Sequence, residues 1–205
     1  MESRARENCY TERLLRKAIL EKGTVLGGGI LKVDSFLNHQ VDAALIDLVG
    51  KHIAKEFSSM QVDKVFTAES SGIAPALAVA RQIRVPMVFA RKKRPITMSE
   101  PVSESAPSHT KGGTVNLYVS AEFLEPSDNI LIVDDFLASG LTIAALGRII
   151  AKSGANLVGI AAVIEKSFEG GRDYLLEKFD VPVFGAARIV SLESGRIVFE
   201  DNSCS

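Results

Sequence analysis

The chain has 205 residues, of which 46% are hydrophobic, and a formal net charge of −1. That suits one domain with a substantial core, with or without a small appendage. It excludes a global field that would draw nucleic acid or an anionic membrane, and no apolar run is long enough to span a bilayer.

The N-terminus, MESRARENCYTERLL, is charged and lacks a signal-peptide apolar region. Leu14, Leu15, Ala18 and Ile19 form an apolar stripe that predicts a helix from about Asn8 to Lys22, stopped by Gly23. Cys9 and Cys204 lie near opposite ends, with neither a disulfide framework nor zinc spacing, so a reducing cytosolic setting is expected. A short strand is expected at Leu31–Val33, then a polar connection, Asp34–Gln40. Leu45, Leu48, Val49, Ile53 and Phe57 follow the helical period over Asp42–Phe57. Val62–Ala68 reads as a strand, Ser70-Ser71-Gly72 as a turn, and Ile73–Ile83 as a helix with Pro75 in its first turn. Pro86–Arg91 is another strand.

From Lys92 to Gly113 the chain is rich in Pro, Ser, Glu and Lys without a sustained apolar period, the mark of a functional lid or a disordered loop. Thr114–Phe123 resumes strand alternation. Ile130–Val133 and Asn156–Ile164 are continuous apolar strands, as expected of strands covered on both faces. Helices are expected at Thr142–Ser153 and Gly170–Phe179. Val183–Ser191 and Arg196–Phe199 flank a hairpin turn at Glu193-Ser194-Gly195. Strands alternating with helices predict an α/β domain with a mainly parallel sheet, with ligands bound outside the carboxyl ends of its strands. There is no internal repeat.

Chemistry concentrates in NILIVDDFLASGLT, Asn129–Thr142. Asp134 and Asp135 follow a buried strand directly. Adjacent carboxylates repel, so they need cations or hydroxyl donors. Ala138, Ser139 and Gly140 are small enough for backbone N–H groups to approach a ligand, and Thr142 offers a hydroxyl where a helix N-terminus favours an anion. One end suits sugar hydroxyls or a hydrated metal and the other a phosphate; a sugar phosphate fits both.

This stretch resembles the phosphoribosyl-diphosphate signature of the type I phosphoribosyltransferases. LKVDSFLNHQ (Leu31–Gln40), ESSGIAP (Glu69–Pro75), VFARK (Val88–Lys92) and VIEKSF (Val163–Phe168), extended by GRD (Gly171–Asp173) and ARIVSLE (Ala187–Glu193), resemble the xanthine-using branch of that family. The match runs from about Leu20 to Phe199. Leu141 stands where many members carry a second Gly, and its side chain restricts the loop backbone.

The resemblance implies the type I phosphoribosyltransferase fold over residues 1–205, with 1–40 and about 180–205 forming a base-binding hood and 93–113 a flexible lid. It implies purine salvage: xanthine and 5-phosphoribosyl 1-diphosphate give xanthosine 5′-monophosphate and diphosphate, with Mg²⁺ mainly on substrate oxygens and at most Asp134 and Asp135 as protein ligands. Ala138 to Thr142, Leu141 included, would hold the 5-phosphate, and Asp134 and Asp135 the ribose hydroxyls. Ser70, Ser71 and Gly72 would form the diphosphate loop, although composition alone reads them as a Ser-capped turn. Arg91 and Lys92 would reach the diphosphate, while one or two of the run Arg91–Arg94 remain a solvated charge face. Leu31, Asn38 and Lys166 are assigned to the base. Asn38 can donate and accept, so it can test the 2-oxo edge, whereas Lys166 only donates and suits the 6-oxo oxygen or a partly anionic base. Phe136 stacks on the purine or packs beneath the loop. His39, His52 and His109 are poor catalytic candidates. A cytoplasmic homodimer is implied, with no nucleic acid or membrane partner. The rival readings are hypoxanthine or guanine as base, a phosphoribosyl-diphosphate-sensing regulator, and a nucleotide-binding domain without catalysis. The segment before Leu31 holds one helix and no basic groove-reading element, which disfavours the regulator.

Overall fold

In chain order the elements are α1 (Glu2–Lys22), β1 (Thr24–Gly27), β2 (Ile30–Lys32), α2 (Ala43–Glu56), β3 (Lys64–Ala68), α3 (Ile73–Ile83), β4 (Met87–Ala90), β5 (Pro101–Pro107), β6 (Thr114–Ser120), β7 (Asn129–Leu137), α4 (Leu141–Ser153), β8 (Asn156–Lys166), α5 (Gly171–Lys178), β9 (Val183–Ser191) and β10 (Val198–Phe199). The computed structural model describes residues 2–107 and 113–201; His109 and Cys204 lie outside them. A central sheet runs β10-β9-β8-β7-β3-β4, parallel throughout except for β10 at its edge.

Continuous apolar runs make these strands because both faces are covered. On one face Val65, Leu131, Val133 and Ala161 join a core with the buried stripe of α2 (Leu45, Val49). On the other, Phe66, Ile130, Ile132 and Ala162 pack with Ile143, Leu146 and the rest of α4. Asp42 starts α2 by accepting from Leu45 N at 3.2 Å, a side-chain N-cap. α3 ends at Arg84 in the left-handed region (φ 61), just before Pro86.

The chain order fixes where a ligand can sit. β3 leads through α3 to β4 on one side, and β7 leads through α4 to β8 on the other. The connections leave β3 and β7 in opposite directions, so a crevice opens between their carboxyl ends.

Two expectations need correction. The segment 93–113 is not an irregular loop throughout: β5 pairs with β6 antiparallel from Pro101↔Ser120 to Pro107↔Thr114. The alternation was hidden by a charge at an inward position. Val102 and Ala106 pack into the α4-side core, but Glu104 between them meets Arg148 Nε at 2.8 Å and Lys152 Nζ at 2.7 Å, one helical turn apart on α4. The lid tip, 108–112, lies outside the described residues. Nor does all of 180–201 form a separate hood, since β9 runs inside the central sheet, parallel to β8. What closes over that edge is α1 with the β1–β2 hairpin: Arg16 donates to the Glu200 carbonyl at 2.9 Å and lies 5.0 Å from the Phe199 ring centroid.

An ion-pair chain ties this edge together. Glu165, 1% exposed at the end of β8, accepts from Arg172 Nε at 2.8 Å and also from Arg172 Nη2. Arg188 Nε lies 3.3 Å from the same carboxylate, and Arg188 also pairs with Glu200.

The Lys152 and Arg148 contacts hold the Glu104 carboxyl below its ordinary pKa. A depressed carboxylate pKa contributes stability that is present above the unfolded value, about 4.3, and lost as pH falls through the lower folded value. Protection factors of the amides across β5 and β6 should therefore hold down to the ordinary Glu range and fall below it. Glu104→Gln should show the lower protection already at neutral pH; unchanged protection in that variant would remove Glu104 as the anchor of the hairpin.

Candidate active site

β7 runs on past Val133 to Leu137, so Asp134 and Asp135 lie inside a strand rather than after it. Both are buried, at 6% and 8% exposure. The Asp135 N–H donates to Asp134 Oδ1 at 3.1 Å. Burial, and then the neighbouring Asp135 charge, push the Asp134 carboxyl well above the usual range, against a weaker pull from Lys92.

The loop that follows needs positive φ at one residue, Gly140 (φ 76). Leu141 opens α4 in ordinary helical conformation: the described non-glycine residues with positive φ are Arg84 and Ser194. The missing second glycine therefore costs the loop nothing. Instead a glycine is required beneath it. A Cβ on Gly171 would lie 2.0 Å from the Ala138 carbonyl oxygen and 2.7 Å from Gly140 N. Gly171 is thus the floor of the loop that also holds Ser139 and leads to Thr142. The sequence signal was the Gly170-Gly171 pair before Arg172, read only as part of a motif.

Across the crevice, β3 ends at Ala68 and the Glu69–Ser70 peptide is cis. Glu69 Oε1 accepts from Lys92 N at 2.6 Å and Oε2 lies 3.6 Å from Arg91 Nε. Arg91 and Lys92 are therefore held beside Ser70 and Ser71, with both side chains exposed. Gly72 brings the two halves into contact: a Cβ there would lie 2.3 Å from Asp134 Oδ1 and 2.1 Å from Thr67 Oγ1. Thr67, fully buried, has no hydrogen-bond partner for its hydroxyl among the described residues. Its place beneath Gly72 was missed from sequence, where it reads as an ordinary β-branched strand position.

At the end of β8, Lys166 Nζ donates to the Gly29 carbonyl at 3.1 Å, pairs with Glu169, and lies 6.0 Å from the Phe136 ring centroid. Phe136 is half-buried and packs on the α2-side core. Phe168, 43% exposed, lies 3.4 Å from where Gly29 would carry a Cβ. The Leu31 side chain is 7% exposed and committed to the core, which leaves its backbone for a ligand. Asn38 ends a π-helical turn, Asp34–Asn38, that buries Phe36 and Leu37 and leaves Asn38 itself exposed. Among the described residues no group of three or more His, Cys, Asp or Glu side chains is placed to enclose a metal.

The family of phosphoribosyl transferase domains matches residues 34–186 of the chain. The chain is 47% identical over 188 residues to a xanthine phosphoribosyltransferase of Listeria monocytogenes, covering 91% of this chain and 97% of the relative. It is 50% identical over 184 residues to one of Deinococcus deserti, covering 89% and 95%. Among solved structures, an adenine phosphoribosyltransferase of Rhodothermus marinus superposes with a TM-score of 0.73 at 27% identity, covering 88% of this chain and 99% of that one. The adenine phosphoribosyltransferase of Saccharomyces cerevisiae does so with 0.69 at 26%, covering 87% and 99%.

Gly171→Ala should push the phosphate loop outward. Crowding of this kind costs about 1–3 kcal/mol, so affinity for phosphoribosyl diphosphate, read by calorimetry, should fall by about fivefold or more; wild-type affinity would show that the loop does not rest on Gly171. Asp134 makes the opposite trade. A carboxyl whose folded pKa is raised contributes stability below its unfolded pKa and loses it as pH rises through the folded value. At neutral pH Asp134→Asn should therefore raise the melting temperature of the ligand-free protein, by about 2–4 °C for each kcal/mol relieved, while lowering turnover. A lower melting temperature would show that the burial of this carboxylate is compensated.

Proposed function

The chain belongs to the phosphoribosyltransferase family, and on that premise we propose that it transfers the 5-phosphoribosyl group of 5-phosphoribosyl 1-diphosphate to xanthine, giving xanthosine 5′-monophosphate and diphosphate. The observation that carries the reaction is the contact of Asp134 with Gly72, which sets an acidic strand end and two anion-ready loops around one crevice.

The 5-phosphate sits over Ala138–Thr142, where the free N–H groups and dipole of α4 favour an anion. Asp134 and Asp135 accept from the ribose hydroxyls, and those donors offset the repulsion between the two acids. The diphosphate lies against Ser70, Ser71 and Gly72, with Arg91 and Lys92 taking up charge as the bond to C1′ breaks. No covalent nucleophile is needed; the chain positions the purine nitrogen against C1′ and excludes water, a task for the β5–β6 hairpin. Two adjacent carboxylates, with no third His, Cys, Asp or Glu placed to join them among the described residues, fit a Mg²⁺ held mainly by substrate oxygens, which when bound would neutralise the departing diphosphate.

Base choice rests on Lys166. Its ammonium is donor-only, so it suits a 6-oxo oxygen and not the 6-amino group of adenine, the base in the name of the solved structures it resembles. The 2-oxo edge falls to Asn38, and the ring face to Phe136. No described helix is long and apolar enough to cross a membrane; we read the protein as cytoplasmic, and as a homodimer in keeping with its family.

The test is a base panel with phosphoribosyl diphosphate and Mg²⁺. Xanthine should be converted fastest, guanine and hypoxanthine weakly, and adenine not at all. Asn38→Ala should raise KM for xanthine more than for hypoxanthine, which lacks the 2-oxo group. Adenine as the preferred base would overturn the role of Lys166, and equal losses on both oxopurines would remove Asn38 from the 2-oxo edge.

A further inference from the structure

Lys166 does not face the base with a free ammonium. Of its three N–H groups, one goes to the Gly29 carbonyl and one to the Glu169 carboxylate. Glu169 is three residues on, in the 3₁₀ turn Ser167–Glu169, and its Oε1 also lies 4.0 Å from where Gly29 would carry a Cβ. Lysine, glutamate and hairpin turn thus form one cluster beside Phe136. Both side chains are largely withdrawn from water, at 13% exposure for Lys166 and 27% for Glu169, so their charges are only partly screened. The next carboxylate along the strand, Glu165, is engaged by Arg172 and Arg188 and is not available to Lys166.

We propose that Glu169 tunes the base preference of this site: it accepts one Lys166 N–H and its negative charge balances the ammonium, leaving a single donor to offer the purine. The inference rests on the assignment of Lys166 to the base. Its consequence follows from purine chemistry. A dioxopurine gives up a ring proton more readily than a mono-oxopurine, and an uncompensated ammonium favours the anion. With Glu169 in place the site is electrically balanced and takes the neutral base. Glu169 therefore restrains the advantage of xanthine over hypoxanthine and guanine, acting through Lys166 as a positioning residue.

Glu169→Gln separates charge from geometry, because glutamine keeps an oxygen that accepts from Lys166 while losing the charge. Steady-state constants would be measured on the full chain for xanthine, hypoxanthine and phosphoribosyl diphosphate. In Glu169→Gln the KM for xanthine should fall relative to that for hypoxanthine by about fivefold, the scale of one partly screened ion pair, with the KM for phosphoribosyl diphosphate unchanged. Glu169→Asp should keep the wild-type ratio. A Glu169→Gln variant that changes both bases alike, or neither, would overturn the proposal and leave Glu169 a mere tether for the lysine. Lys166→Ala tells this apart from a deeper failure: if it leaves both base KM values untouched, the base assignment itself falls.

Discussion

Two adjacent carboxylates held out of water in the carboxyl-terminal half of a central strand are the constraint around which the crevice is arranged. Burying like charges side by side is unfavourable, and the chain offsets it only slightly, through a backbone N–H and a distant lysine. The surroundings are shaped to tolerate the pair rather than to neutralise it. Residue 72 is glycine because the acid and the Thr67 hydroxyl occupy the space of a side chain. The strand continues past the acids, so they are fixed by ladder hydrogen bonds and not by a loop. A site of this kind is completed by a partner rich in donors and positive charge, which is what a ribose ring and a metal-loaded diphosphate bring.

The parts of this arrangement written in local sequence were legible. Ile73–Ile83 forms the helix expected of it, the apolar runs are the sheet, and the acids, the loop and Lys166 lie at carboxyl ends of parallel strands. What was not legible depends on contacts distant in sequence. Gly171 matters because Ala138 passes over it, and Thr67 because Gly72 and Asp134 close on it. Nothing in their immediate neighbours marks either. The Leu31 side chain belongs to the core, so the contact that resemblance assigns to this residue falls to its backbone.

The β5–β6 hairpin shows a different reason for misreading. Period-two alternation works as a signal only when the inward face is apolar. Glu104 breaks the pattern because its partners, Arg148 and Lys152, lie on a helix more than forty residues away. An inward charge on a two-stranded ribbon attaches it less permanently than a row of aliphatic side chains would, so this element is the one most readily lifted from the core.

The ion-pair chain at the sheet edge has a consequence for spacing. Glu165 directly precedes Lys166 in β8, and Arg172 directly follows Gly171, the floor of the Ala138–Gly140 loop. One salt bridge therefore spans from the residue beside Lys166 to the residue beside Gly171. It acts as a ruler. The gap between the Lys166 cluster and the loop is held by two backbone positions, and the ruler is anchored through Arg188, Glu200 and Arg16 to segments near either end of the fold. The distance between those two groups is thereby kept by side chains that belong to neither.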